Sequence, residues 1–264
     1  MAVPSGDRAI TSRPASLAAA SARELTKVYG SGQTTVEALK GVSVAFGKGE
    51  FTAIMGPSGS GKSTLMHCLA GLDTASSGIV TIGATELTGL SDKKMTRLRR
   101  DRIGFVFQSF NLVPTLTARE NITLPLDIAG RRVDPDWFDL VTDRLGLTDR
   151  LRHRPSELSG GQVQRVACAR ALVGRPEIVF GDEPTGNLDS RSSSEVMSIL
   201  RASVDEFEQT VVIVTHDAHA AGYADRVIFL ADGHIVSDQR GLTPDDIYDY
   251  MKHLDDPQQP ARVN

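Results

Sequence analysis

Only two cysteines and one tryptophan occur in the 264 residues, and aromatic side chains make up just 5% of the chain. Cys68 and Cys168 stand a hundred residues apart, each inside an apolar helical pattern. They read as reduced core thiols, which excludes a disulfide framework or thiolate metal centre as the basis of the fold. Long hydrophobic runs are missing as well. Val211-Val212-Ile213-Val214 is typical of the longest, far short of the ~18 residues a membrane helix needs. Positive charge is not in excess: the net charge is −4, which argues against a general grip on nucleic acid. The stretch Met1 to Ser21 is rich in Ala, Ser and Pro but lacks the charged start and apolar core of a signal peptide. It reads as a disordered leader on a cytoplasmic protein.

What is present is an ordinary soluble composition, 40% hydrophobic and 23% charged. That suffices for one large domain, or a domain with a subsidiary lobe. From Arg23 to Phe51, short alternating runs such as Val42-Ser43-Val44-Ala45-Phe46 are punctuated by glycines. This predicts antiparallel strands and tight turns. Phe51 to Met55 reads as a buried strand, Lys62 to Ala70 as a helix, and Ile79 to Ile82 as a strand again. Ser91 to about Leu158 is mostly helical, broken by the strand Ile103 to Phe107 and cut by Pro114, Pro125, Pro135 and Pro155. After Gly161, helical patterns alternate with the apolar strands Ile178–Phe180, Val211–Val214 and Val227–Leu230. The expected fold is α/β, a mostly parallel sheet with helices on both faces. To it are added an antiparallel β subdomain and a helical lobe inserted over about 91–160. Beyond Gly241, Pro244 to Leu254 reads as a short acidic helix, followed by a frayed tail.

The chemistry begins at Gly56-Pro57-Ser58-Gly59-Ser60-Gly61-Lys62-Ser63-Thr64, which satisfies the P-loop pattern between a strand and a helix. Phosphate binding needs successive backbone N–H groups converging on oxygens. Glycines permit that curvature, and the following helix start adds positive potential. In such a loop Lys62 holds the β- and γ-phosphates of ATP, and the Ser63 hydroxyl binds Mg²⁺. Downstream, Asp182 ends a buried strand and Glu183 follows it. In P-loop ATPases the first carboxylate binds Mg²⁺ and the second polarises the attacking water. Taken without the P-loop, the same pair would pass for an acidic turn at a helix start.

Between these halves lies Leu158-Ser159-Gly160-Gly161-Gln162. The order P-loop, LSGGQ, strand ending in Asp-Glu, then His216 after another strand resembles the ATPase subunits of ABC transporters. The resemblance covers Arg23 to Val236. It implies a P-loop NTPase core and assigns roles that spacing alone does not. Tyr29 would stack on adenine, Gln108 would touch Mg²⁺ or water at the lobe boundary, and His216 would contact the γ-phosphate. Ser159, Gly161 and Gln162 would reach ATP bound by a second, head-to-tail subunit, and Asp189 would link the two sites. Taken alone, His216 would pass for a satisfied strand-end histidine, Tyr29 for a packing residue and Ser159 for a helix cap. The chain departs from the usual pattern at Val163, where Gln is common, and at Gly186-Asn187, where Ser-Ala is commoner.

Phe105 to Thr117 and Glu183-Pro184-Thr185-Gly186-Asn187-Leu188-Asp189-Ser190 resemble the branch containing macrolide-exporter, lipoprotein-release and cell-division ATPases. That branch implies a permease partner docked near Gln108–Asp127 and a place at the cytoplasmic face of the membrane. It implies work on export, lipoprotein release or force transmission. The competing expectation is a regulatory ATPase that signals through a membrane partner without transport. ABC proteins of DNA or ribosomes carry long coiled-coil insertions or tandem cassettes, and this chain has neither. The basic run Lys93 to Arg100 reads as a solvated helix face.

Overall fold

The computed structural model describes residues 18–255. Most of the expected leader, 1–17, and the tail 256–264 lie outside the described residues. Ala18 to Ser21, read from sequence as leader, are instead the start of β1 (Ala18–Tyr29). The reason is tertiary: Ala19 and Ala20 are wholly buried between neighbouring strands. Alanine carries little strand propensity, so sequence pattern alone gives no sign of this pairing.

The described residues form two sheets. The first is antiparallel, in the order β2-β1-β4-β5, with β2 spanning Val36–Gly47, β4 Ser77–Ile82 and β5 Thr85–Glu86. The second is six-stranded, in the order β10-β9-β3-β8-β7-β6. Here β3 is Phe51–Met55, β6 Ile103–Phe107, β7 Ile178–Asp182, β8 Val211–Val214, β9 Arg226–Ala231 and β10 His234–Arg240. All its pairings are parallel except β9 with β10. Strands β3 and β8 are buried at every residue, as expected where helices cover both faces.

Alternation along these strands divides the interior. Ile54, Phe180, Val212 and Ile228 face helix α1 (Lys62–Leu69) and the antiparallel sheet, where Leu65, Met66 and Leu69 are fully buried. Each of those three side chains contributes about 1.5–3 kcal/mol through burial. Phe51, Ala53, Val179 and Ile213 point the other way, into a core shared with the remaining long helices. Those are α3 (Ala118–Ile128), α4 (Pro135–Arg144), α5 (Gly160–Leu172), α6 (Ser190–Phe207) and α8 (Pro244–Asp255). Helix α2 (Asp92–Arg102) feeds β6, and the short α7 (Ala218–Ala221) follows β8. Strand β6 is the edge of the parallel sheet, so the interval 91–160 contributes a strand to the core as well as helices.

Helix α5 is the bridge between the lobe and the sheet. Val166, Cys168, Ala169 and Leu172 join α3 and α4 to the β6–β7 side of the core. Both cysteines are inert packing groups: burial pushes the Cys68 thiol up to about 11 and the Cys168 thiol up to about 12.

Candidate functional site

The phosphate loop hangs from the carboxyl end of β3, in the middle of the parallel sheet, where α/β proteins place their ligands. Two of its glycines are obligatory. Gly56 has φ 145°, and a Cβ there would stand 1.9 Å from the Leu230 carbonyl oxygen. Gly61 has φ 102°, and its Cβ would lie 2.4 Å from the Ala38 oxygen. Ser60 is buried beneath the loop, donating its N–H to the Pro57 carbonyl at 3.2 Å. Pro57 and Ser58 line the cavity above it, and a Cβ at Gly59 would meet nothing within 4 Å. Gly61 gives α1 no side-chain cap, which leaves the first-turn N–H groups available to a ligand. Lys62 Nζ donates to the carbonyls of Gly56 at 2.8 Å and Pro57 at 2.7 Å, so its ammonium lies against the loop.

The adjacent strands bring the remaining groups. Asp182, the last residue of β7, accepts from the Ser63 hydroxyl at 3.1 Å. His67, one helical turn beyond Ser63, places Nε2 at 3.4 Å from the other Asp182 oxygen. His67 was not foreseen, although the i, i+4 spacing from Ser63 was a usable signal. Glu183 sits in the left-handed region at φ 46°, its N–H bonded to the Val214 carbonyl of β8 at 2.9 Å. Holding a non-glycine residue there costs about 1–3 kcal/mol, a strain found mostly at functional sites. Nδ1 of His216, just past β8, is 3.1 Å from Glu183 Oε1. Its other oxygen, Oε2, and Gln108 Nε2 lie within 3.2 and 2.8 Å of the point a Gly186 Cβ would occupy. Gly186 thereby makes room for Gln108 beside Glu183. Asn187 fixes the same corner, donating to the Gln108 carbonyl at 3.0 Å.

Tyr29 stands apart from this cluster. Its hydroxyl donates to Asp73 Oδ2 at 2.6 Å and also meets Thr64, and the Lys27 ammonium lies 4.6 Å from its ring centre. Burial and the Asp73 bond push the Tyr29 phenol up. Burial opposes ionisation of Asp73 too, but the Lys27 and Tyr29 hydrogen bonds outweigh it and hold that carboxyl below its ordinary range.

Ser159, Gly161 and Gln162 do not line the cavity of about 1210 Å³ that contains Gly56, Lys62, Glu183 and His216. Ser159 caps α5 reciprocally: its Oγ accepts from Gln162 N at 3.3 Å, and Gln162 Oε1 accepts from Ser159 N at 2.9 Å. The first turn of α6 stands between, with Ser192 Oγ 3.0 Å from the position of a Gly161 Cβ while Ser193 and Ser194 line the cavity. Asp189 caps α6, and the Ser192 backbone N–H, then its hydroxyl, hold that carboxyl below the usual range. A further unforeseen residue is Gln164, wholly buried, whose amide donates to the Pro184 carbonyl at 2.5 Å. It ties α5 to the turn after Glu183.

Comparison with known proteins identifies the family and the fold. Residues 39–186 match the ABC transporter family. The chain is 46% identical over 216 residues to the macrolide export ATP-binding/permease protein MacB of Bdellovibrio bacteriovorus, covering 82% of this chain. It spans only about a third of that relative's length, 33%. Against the lipoprotein-releasing system ATP-binding protein LolD of Legionella pneumophila identity is 45%, over 81% of this chain and 95% of that protein. A solved dimeric, post-hydrolysis structure of the ATP-binding cassette MJ0796 of Methanocaldococcus jannaschii, bound to ADP and Pi, superposes with a TM-score of 0.75. Identity there is 41%, over 84% of this chain and 100% of that one. Among the described residues no helix is long and apolar enough to cross a membrane. The chain is an ATP-binding cassette and belongs to the ABC transporter family.

Proposed function

We propose that this cassette is an Mg²⁺-dependent ATPase that works as a head-to-tail pair and drives a permease of the MacB and LolD kind. The observation that carries the reading is the Ser63–Asp182 contact of 3.1 Å next to the Glu183–His216 contact of 3.1 Å, both at the mouth of the phosphate loop. Hydroxyl and carboxylate oxygens suit Mg²⁺, which characteristically takes one or two protein oxygens and completes its shell with phosphates and water. When bound, the ion would neutralise charge developing on the phosphates.

The chain's own groups then divide the work. Lys62 moves from the loop carbonyls to the β- and γ-phosphates. His216 holds Glu183 by one oxygen and orients the other, beside Gln108, for a water molecule. Glu183 takes the proton of that water as its oxygen attacks the γ-phosphorus. The bond from phosphorus to the β,γ-bridging oxygen breaks, and ADP leaves with that electron pair while phosphate is formed. The Ser159–Gly161–Gln162 turn lies outside the chain's own cavity, so in the pair it serves the nucleotide of the other subunit through the α5 N-terminus.

The permease would dock on the loop from Gln108 to Thr117 and the start of α3, at the inner face of the membrane. The loop has no regular structure, yet it is held firmly. Buried Asn121 accepts from Val113 N at 2.8 Å and donates to the carbonyls of Val113, Leu116 and Thr117. Arg170 of α5 binds the carbonyls of Phe110 and Asn111. A load on this loop is thus passed to α5 and, through Gln108, to Glu183. The deciding experiment is ATP hydrolysis by the purified chain with and without Mg²⁺, alone and with its permease. Hydrolysis that survives chelation of Mg²⁺, or that no membrane partner stimulates, overturns the reading.

A further inference from the structure

The cavity that begins at the phosphate loop extends well beyond it. Its volume, about 1210 Å³, exceeds the ~300–1,000 Å³ usual for small-molecule sites. The outer part is walled by the first turn of α6, by α7, and by Tyr248, Met251 and Lys252 of α8. Helix α8 lies outside residues 39–186, the part matched to the family.

One side of α8 is firmly held. Ile247 is fully buried, the Tyr250 ring centre is 4.1 Å from that of Phe229, and Met251 and Leu254 pack on the same core. Pro244 abuts the end of α7, where a Cβ on Gly222 would come within 2.7 Å of its ring. Helical periodicity gathers Asp245, Tyr248, Asp249 and Lys252 on the opposite side, and all four are exposed. Tyr248 is 61% exposed. An open tyrosine on a cavity wall is the residue type that anchors protein interfaces. The face is also self-complementary, with acids in its first turn and Lys252 in its last. Two copies laid antiparallel about a two-fold axis would oppose unlike charges.

We infer that a second copy of this chain covers the outer face of α8, burying Tyr248 and Lys252 when two cassettes close on ATP. The inference rests on the paired arrangement proposed above. The outer part of the nucleotide cavity is then completed by the partner, and the C-terminal helix becomes part of the closing surface.

The test uses the full chain carrying Glu183→Gln, with ATP and Mg²⁺, followed by sedimentation over a concentration series. The parent should dimerise. Adding Tyr248→Ala or Lys252→Glu should raise the dimer dissociation constant at least tenfold. It is measured at concentrations of a fluorescent ATP analogue that saturate the dilute monomer of each variant, so that a change in nucleotide affinity is not read as a change in pairing. Both side chains are exposed, so unchanged melting temperatures should accompany the loss. Hydrogen exchange provides a second measure, since amides of 244–254 should slow when ATP is added to the parent. Variants that dimerise like the parent, or exchange in α8 that ignores ATP, overturn this inference alone. A parent that stays monomeric with ATP overturns the paired arrangement together with it.

Discussion

His216 Nδ1 approaches Glu183 Oε1 to 3.1 Å across the ends of two neighbouring parallel strands, β8 and β7. Neither residue is positioned by its own helix. Each follows a buried strand, and the Glu183 N–H is bonded to the Val214 carbonyl two residues before His216. The imidazole and the carboxylate are therefore set by sheet register, which tolerates little slack.

Glu183→Gln should leave ATP binding intact and lower kcat by roughly 10²- to 10⁴-fold, the scale of losing a positioned base. His216→Ala should also lower kcat, because the carboxylate loses its hydrogen-bonded orientation. Single-turnover kinetics with labelled ATP separate binding from chemistry. Normal turnover by Glu183→Gln would move the water-activating role elsewhere.

Lys62→Ala acts earlier. Its ammonium is the cation of the phosphate loop, so the variant should lose ATP binding itself, seen by calorimetry as absent heat at concentrations that saturate the parent. Binding at parental affinity would show that backbone N–H groups suffice.

Basal hydrolysis should rise more than linearly with protein concentration if, as proposed above, Ser159 serves the nucleotide of the paired subunit; it does not line the cavity of its own phosphate loop. Ser159→Ala should also cost about 1 kcal/mol of stability through the lost α5 cap, visible as a lower melting temperature. A mixing experiment isolates the trans role: Lys62→Ala and Ser159→Ala chains, each inactive alone, should regain activity together. Linear turnover and no complementation would place the signature turn in cis.

Val113→Asp should abolish permease-stimulated hydrolysis while basal hydrolysis and fold persist. Val113 is 37% exposed, whereas Leu112 packs on the core, so the charge at 113 tests docking without cutting into the interior. Normal copurification and stimulation would put the docking surface elsewhere.

The phosphate loop was legible in the sequence because its demands are local: curvature, a cation and a helix start within nine residues, Gly56 to Thr64. The strand pattern pointed to the parallel sheet for a similar reason, since β8 is wholly apolar and β3 and β7 are apolar except for Thr52 and the closing Gly181-Asp182. Long-range polar pairing was not legible. Asp73 grips Tyr29 from 44 positions away, and Asn121 holds the loop at Val113 through bonds no pattern announces. With Tyr29 stacking on adenine as the resemblance implies, Asp73→Asn should raise the KM for ATP without lowering kcat, since it removes the carboxylate that Lys27 and Tyr29 share and leaves the reacting groups untouched. The strand at Ala18–Ser21 escaped because small residues signal disorder until a neighbouring sheet buries them.

Strand β3 is hydrogen-bonded along both sides, whereas β6 has a partner on one side only. The phosphate cradle grows from the first and the loop that leads to the lobe from the second. In hydrogen exchange the amides of β3 should open only with global unfolding, those of β6 far sooner. Exchange that divides in this way would give a single sheet both an anvil and a hinge, the edge that carries Gln108 yielding while the cradle stays still.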